Sequence, residues 1–101
     1  MNRVQVVAIM ENHGDWLDRT IASGVSKFPK TAFLSALEIT REVWSQPDAP
    51  DWFTALRPWD RESIIEHRLA ILIESGLFKS YVANHRTTYQ AVDILDALAA
   101  I

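Results

Sequence analysis

The chain has 101 residues, of which 49% are hydrophobic and 23% charged, a composition that fits one folded globular domain and excludes a disordered chain. Its net charge of −3 at pH 7 argues mildly against an obligate nucleic-acid binder, because such proteins are more often basic. It contains no cysteine and no apolar stretch long enough for a signal peptide or a membrane span, so disulfides and thiolate sites are excluded and a cytoplasmic location is expected.

Residues 1–29 are interpreted as an N-terminal extension, and the secondary structure of their first part is ambiguous. Three valines between residues 4 and 7 favour a short strand, whereas the spacing of the apolar residues fits a helix equally well. Gly14 and Asp15 are interpreted as a break followed by an N-cap, after which a short helix is expected to end near Gly24.

The clearest helical pattern lies between Pro29 and Pro47, since proline is tolerated at helix ends but not in the interior. Helical spacing predicts a buried stripe on one face of this segment. That stripe comprises Phe33, Ala36, Leu37, Thr40, Val43 and Trp44. A second, short helix is expected within residues 49–58, with Asp51 as its cap.

A longer helix is predicted from about Arg61 to Ser75, with Asp60 as its cap and Gly76 as its end. Helical spacing gives this segment a wide apolar arc. The arc consists of Ile64, Ile65, Leu69, Ile71, Leu72 and Ile73.

Beyond Gly76 the apolar period changes from that of a helix to that of a strand. Asn84-His85 is expected to form a tight turn, because asparagine tolerates positive φ, and residues 86–90 return as a second strand. This hairpin is called the wing below. The last residues, 91–101, fit a helix with Val92, Leu95, Leu98 and Ala99 on one stripe.

These elements predict a mainly α fold with a small β-hairpin, a single domain over residues 1–101 whose core is residues 30–101. From residue 59 onward the sequence resembles winged-helix, or winged helix-turn-helix, regulators. It is more particularly similar to an uncharacterised winged-helix-like family carried by phages and prophages. The matching positions are His67, Leu72-Ile73-Glu74-Ser75-Gly76-Leu77, Thr88-Tyr89 and Leu95-Asp96-Ala97-Leu98.

The resemblance implies a DNA-binding regulator of bacterial or phage origin that acts as a homodimer, with the longer helix in the major groove and the wing on the backbone or minor groove. The candidate DNA contacts are Arg61, Ser63 and His67 on the helix, and Lys79, Asn84, His85 and Arg86 on the wing. The wing is basic, but the helix carries three glutamates, and carboxylates there would repel phosphates.

The alternative is a protein-interaction module on the same scaffold, such as a phage accessory protein that inhibits a host defence or transcription complex. Its binding surface would be the acidic face of the longer helix with an exposed tryptophan, since tryptophan is enriched in interface hot spots. The candidate residues are Glu62, Glu66, Glu74, Trp52 and Trp59.

A homodimer is expected through the apolar face of the C-terminal helix, whose contact residues would be Val92, Leu95, Leu98 and Ile101. The three histidines lie on different predicted elements, so no metal site is expected. No phosphate-binding glycine loop or nucleophile elbow is present in the sequence, which predicts neither an enzyme nor a cofactor.

Overall fold

A computed structural model describes residues 1–92 of the protein. The described part is mainly helical with a small antiparallel sheet, which confirms the coarse fold class. Its elements in chain order are α1 (Arg3–Val25), β1 (Leu34–Ser35), α2 (Ala36–Trp44), α3 (Asp51–Thr54), α4 (Pro58–Glu74), β2 (Phe78–Ala83) and β3 (Arg86–Ala91). None of these helices is long and apolar enough to cross a membrane. The predicted C-terminal helix lies almost entirely outside the described residues.

α1 is one continuous helix, so both the strand interpretation of its first part and the predicted break at Gly14-Asp15 are wrong. The helix begins at a capping box in which Asn2 and Gln5 exchange hydrogen bonds of 2.9 Å. Gly14 lies in its interior under the guanidinium of Arg68, where an added Cβ would lie 3.0 Å from Nη1. Glycine at position 14 therefore makes room for a side chain from another helix, and the predicted end near Gly24 is confirmed.

α2 begins six residues later than the first proline suggests. Ser35 accepts a hydrogen bond from the Glu38 amide, and the Glu38 carboxylate accepts one from the Ser35 amide, both at 3.1 Å. This capping box starts the helix at Ala36 and leaves residues 34–35 extended, which lets them pair as β1.

The predicted buried stripe of this segment is only half right. Leu37 and Trp44 are 43% and 50% exposed, because the helix turns a neighbouring face towards the core, and Phe33, which precedes the helix, is 53% exposed. The buried face of α2 consists of Ala36, Ile39, Thr40 and Val43. Stripes offset by one position have the same helical period, so periodicity does not separate them.

The two predicted carboxylate caps are also wrong. α3 is preceded by Pro50 and α4 by Arg57, and neither helix has a side-chain cap. Pro58 occupies the first position of α4, where a missing N–H costs nothing, and it starts the helix before Asp60. The predicted end at Gly76 is confirmed, since this residue adopts φ +80°.

The sheet has strand order β1-β3-β2, with all pairs antiparallel. The predicted hairpin is confirmed as β2–β3, and its turn residues Asn84 and His85 adopt φ values of 52° and 62°. β1 joins through the register pairs Leu34↔Tyr89 and Ser35↔Thr88. A two-residue strand has too few residues to show alternation, so it was not predicted.

In the turn of the wing, His85 adopts a backbone conformation that favours glycine. Positive φ at both central positions is typical of a type I′ turn, for which Asn-Gly is the preferred pair. His85→Gly should therefore raise the free energy of unfolding by about 0.5–1 kcal/mol, measured by urea denaturation. Asn84→Ala serves as the opposite control, because alanine tolerates positive φ less well than asparagine and should destabilise the protein.

The core lies where α1, α2 and α4 meet the sheet. α1 contributes Leu17 and Ile21, both fully buried, to the same hydrophobic cluster as α2 and α4. The remaining fully buried large side chains of the core are Ile39, Val43, Phe53, Ile64, Ile65, Leu69 and Phe78. The segment interpreted as an N-terminal extension thus packs as part of the central helical layer.

Candidate functional site

An open groove of about 690 Å³ lies between the N-terminus of α2, the outer face of α4 and the wing. We call it the acidic groove because Glu38, Glu62 and Glu66 line it. Its other lining residues are Ser35, Ala36, Leu37, His85, Arg86, Thr87, Thr88 and Tyr89.

The three carboxylates of the acidic groove are held by the local structure of two helices. Glu38 is fixed by the capping box that starts α2. Glu62 and Glu66 are four residues apart on α4, a spacing that places both side chains on one face. Among the described residues that line the groove, the one lysine or arginine is Arg86 of the wing, and His85 lies beside it.

Glu66 is the carboxyl group of the acidic groove whose pKa is shifted by its surroundings. Burial raises the pKa of its carboxyl above the usual value of 4.5, the negative charge of Glu62 raises it further, and His67 opposes the shift. Burial also raises the pKa of the Tyr89 hydroxyl, and Glu66 adds to that shift. The part of the Glu66 shift that comes from Glu62 means that the groove disfavours an added negative charge and favours an added positive charge.

Arg61 does not face the groove as a DNA contact would. Its Nη1 donates hydrogen bonds to the carbonyl oxygens of Thr54 and Leu56, and its guanidinium lies 5.0 Å from the centre of the Trp44 ring. These contacts tie the end of α3 to the start of α4. The structure therefore gives Arg61 a role in stabilising the fold.

Ser63 and His67 lie in a different groove, between α4 and the first half of α1. His67 Nδ1 is 2.7 Å from the Ser63 carbonyl oxygen, a contact within one helix turn. This second groove is mostly apolar, with Val6, Val7, Met10, Ala70 and Ile71 among its lining residues. The two predicted base-reading residues are thus separated from the wing, and Glu62 and Glu66 face the wing in their place.

The predicted wing residues Lys79, Asn84, His85 and Arg86 are all exposed. Neither Lys79 nor Arg86 forms a salt bridge with any residue of the described part of the chain. Only His85 and Arg86 line the acidic groove. The wing thus retains accessible positive charge, but part of it faces carboxylates.

The residues proposed for a protein partner are also divided by the structure. Glu74 is exposed near the end of α4 but does not line the acidic groove. Trp52 is half-buried and stacks on His13 at 4.4 Å between ring centres, so it belongs to the packing of α3 on α1. Trp59 is 63% exposed at the start of α4, beneath the Arg57 guanidinium at 5.5 Å.

Glu38 was missed by sequence reasoning although its signal is present. Ser35 followed three residues later by Glu38 is a capping-box pattern, which would have placed the helix start and this carboxylate together.

In residues 1–92 no group of three histidine, aspartate or glutamate side chains is arranged to hold a metal ion. Of the predicted dimer residues, Val92 is half-buried and its amide donates to the Leu77 carbonyl oxygen at 2.9 Å. Leu95, Leu98 and Ile101 lie outside the described residues. Comparison of the chain with protein-family models, curated proteins and solved structures finds no match.

Proposed function

We propose that the chain is a winged-helix protein whose first helix is α1. The order α1-β1-α2-α4-β2-β3, with the short α3 between α2 and α4, supports this assignment. So does the sheet, in which a strand from between the first two helices pairs with the returning strand of the hairpin. In this assignment α4 occupies the position of the recognition helix, and β2–β3 is the wing.

On this scaffold the function that the geometry supports best is binding of a protein partner through a basic segment. The single observation that carries the proposal is the acidic groove, where Glu38, Glu62 and Glu66 face one arginine and one histidine. A lysine or arginine of a partner would enter the field of three carboxylates and relieve their mutual repulsion. A host protein complex is the partner class that the resemblance to phage proteins implies.

The position of the acidic groove also disfavours duplex DNA. If α4 entered the major groove and the wing touched the backbone or minor groove, the phosphates between them would face the acidic groove. Affinity for DNA comes mainly from neutralising phosphates with lysine and arginine. At this place the chain offers Arg86 against three glutamates, so the groove would repel the phosphates.

Neutralising the groove should weaken binding of a cationic probe. For Glu62→Gln/Glu66→Gln we expect binding of a fluorescent oligolysine peptide at low salt to fall by about 5- to 30-fold, since two exposed charge pairs contribute about 1–2 kcal/mol together. Fluorescence anisotropy measures this change. In the unmodified protein binding should also weaken as the pH falls through the raised pKa of Glu66, because protonation removes its charge.

A matched control carries the same change in net charge at sites outside the acidic groove. Glu11→Gln/Asp48→Asn removes two exposed carboxylates and should leave oligolysine binding within about twofold of the unmodified protein, given screening by solvent. Equal losses in the two double variants would show that the peptide responds to net charge alone, and the proposal would fail.

DNA binding through the wing is the second candidate, and the exposed charges of Lys79 and Arg86 favour it. It predicts retention of duplex DNA at low salt that falls steeply as salt is added. Lys79→Glu/Arg86→Glu should then abolish retention in an electrophoretic mobility assay. Absence of retention at low salt, or retention unchanged by the double substitution, would reject this candidate.

A further inference from the structure

A second depression adjoins the acidic groove along the same crevice between α2 and α4. It has a volume of about 250 Å³, and Leu37 lines both depressions. Its other lining residues are Thr40, Arg41, Trp44, Pro58 and Arg61. α2 runs away from the wing and α4 runs towards it, so the two depressions form one strip that begins at the wing and ends near α3.

The two ends of this strip carry opposite charge. The end near α3 has Arg41 and Arg61 in the depression and Arg57 beside Pro58, a set that we call the arginine patch. Three acids adjoin these arginines in the sequence. Glu42 lies 3.1 Å from the Lys27 ammonium group and Asp60 lies 3.5 Å from the amino group of Met1, so both charges are offset, and Glu62 lines the acidic groove. One end of the strip therefore carries three arginines, and the acidic groove at the other end carries three glutamates and Arg86.

Large apolar side chains are exposed along and beside the strip. Leu37 is 43% exposed where the two depressions meet, and Trp44 is 50% exposed in the arginine patch. Trp59 is 63% exposed beside it. Exposed tryptophans next to arginines are typical of interface hot spots, because both residue types are enriched there.

We propose that this strip is the interface of a two-fold homodimer in which the acidic groove of one copy lies on the arginine patch of the other. A two-fold interface is self-complementary, so each contact between an acidic and a basic residue occurs twice. The strip has this property, since its two charged ends are separated by the apolar residue Leu37, through which the axis would pass. Its occupant is therefore a second copy of this chain.

The dimer would also control access to the acidic groove. A partner's basic segment and the arginine patch of a second copy would compete for the same carboxylates, so partner binding would separate the dimer. The dimer does not depend on the proposed function, because its formation is measured on the pure protein without any partner or peptide.

Complementary charge reversal tests the dimer directly. Arg41→Glu/Arg57→Glu gives both ends of the strip a net negative charge, and Glu62→Lys/Glu66→Lys gives both ends a net positive charge. Like charges facing each other across an interface cost several kcal/mol, so each variant alone should dissociate with a Kd raised at least about tenfold. Mixed in equal amounts, the two variants should form a dimer again, detected by sedimentation velocity at low salt.

These positions were chosen to spare the fold. Arg61 is left in place because it holds the end of α3, and Glu38 because it caps α2. Circular dichroism establishes that each variant is folded, and the milder pair Arg57→Gln and Glu66→Gln, tested singly, should each raise the Kd as well. A monomeric unmodified protein at low salt would overturn the proposal. So would unchanged dimers of the reversed variants, which would place the interface elsewhere, such as the predicted C-terminal helix.

Discussion

Phe53→Ala is expected to lower the free energy of unfolding by about 3–5 kcal/mol, the usual cost of removing a buried aromatic ring. Phe53 is fully buried, and its ring centre lies 5.6 Å from the rings of both Trp16 and Trp52. It belongs to α3, a helix of four residues that is too short to be stable without tertiary packing. The loss should therefore detach α3 as well as leave a cavity.

Urea denaturation monitored by circular dichroism measures the effect of this substitution. Phe33→Ala is the matched control, because Phe33 is 53% exposed and its main aromatic contact is the Tyr81 ring at 4.9 Å. That control should lose clearly less free energy of unfolding than Phe53→Ala, because about half of the Phe33 side chain is already in contact with solvent. Equal losses at the two positions would contradict the description of Phe53 as the anchor of α3.

Arg68→Met is expected to lower the free energy of unfolding by about 2–3 kcal/mol. Arg68 donates two hydrogen bonds to the Asp18 carboxylate, at 2.6 and 2.7 Å, and these bonds join α4 to α1 across Gly14. Hydrogen bonds to charged groups contribute about 1.5–3 kcal/mol, and the partner left behind is half-buried. The pair also raises the pKa of Arg68, mainly through its hydrogen bonds to Asp18.

Lys27→Met provides the comparison, because Lys27 pairs with Glu42 at 3.1 Å while its own side chain is 56% exposed. An exposed pair of this kind contributes at most about 1 kcal/mol. A double-mutant cycle with Asp18→Asn isolates the coupling between Arg68 and Asp18. A coupling free energy near zero would mean that the two helices are held by apolar packing alone.

The parts of the fold that could be predicted are those determined by residues close together in the sequence. Gly76 ends a helix, and Asn84-His85 turns a hairpin, through backbone preferences that are local to those positions. Gly14 was misread because the reason for a glycine there is Arg68, 54 positions later in the sequence. The offset of the buried stripe of α2 has the same origin, since the partner helices choose which of two adjacent faces is covered.

The candidate site was predictable to a similar extent. The acidic character of α4 could be read from Glu62 and Glu66, and the structure places both in one groove. The hydrogen bond from Arg61 to the Thr54 carbonyl oxygen could not be predicted, because the position of α3 depends on its packing against α1. The arginine patch likewise exists only where α2 and α4 lie side by side.

The central claim, that the acidic groove receives a cationic protein segment and not DNA, is tested most directly by NMR titration of the isotopically labelled protein. We expect unlabelled oligolysine at low salt to shift the backbone amides of Glu38, Glu62, Glu66 and Arg86 most, and duplex DNA to leave them unchanged. Largest oligolysine shifts outside the acidic groove, or shifts of these amides by duplex DNA, would contradict the claim.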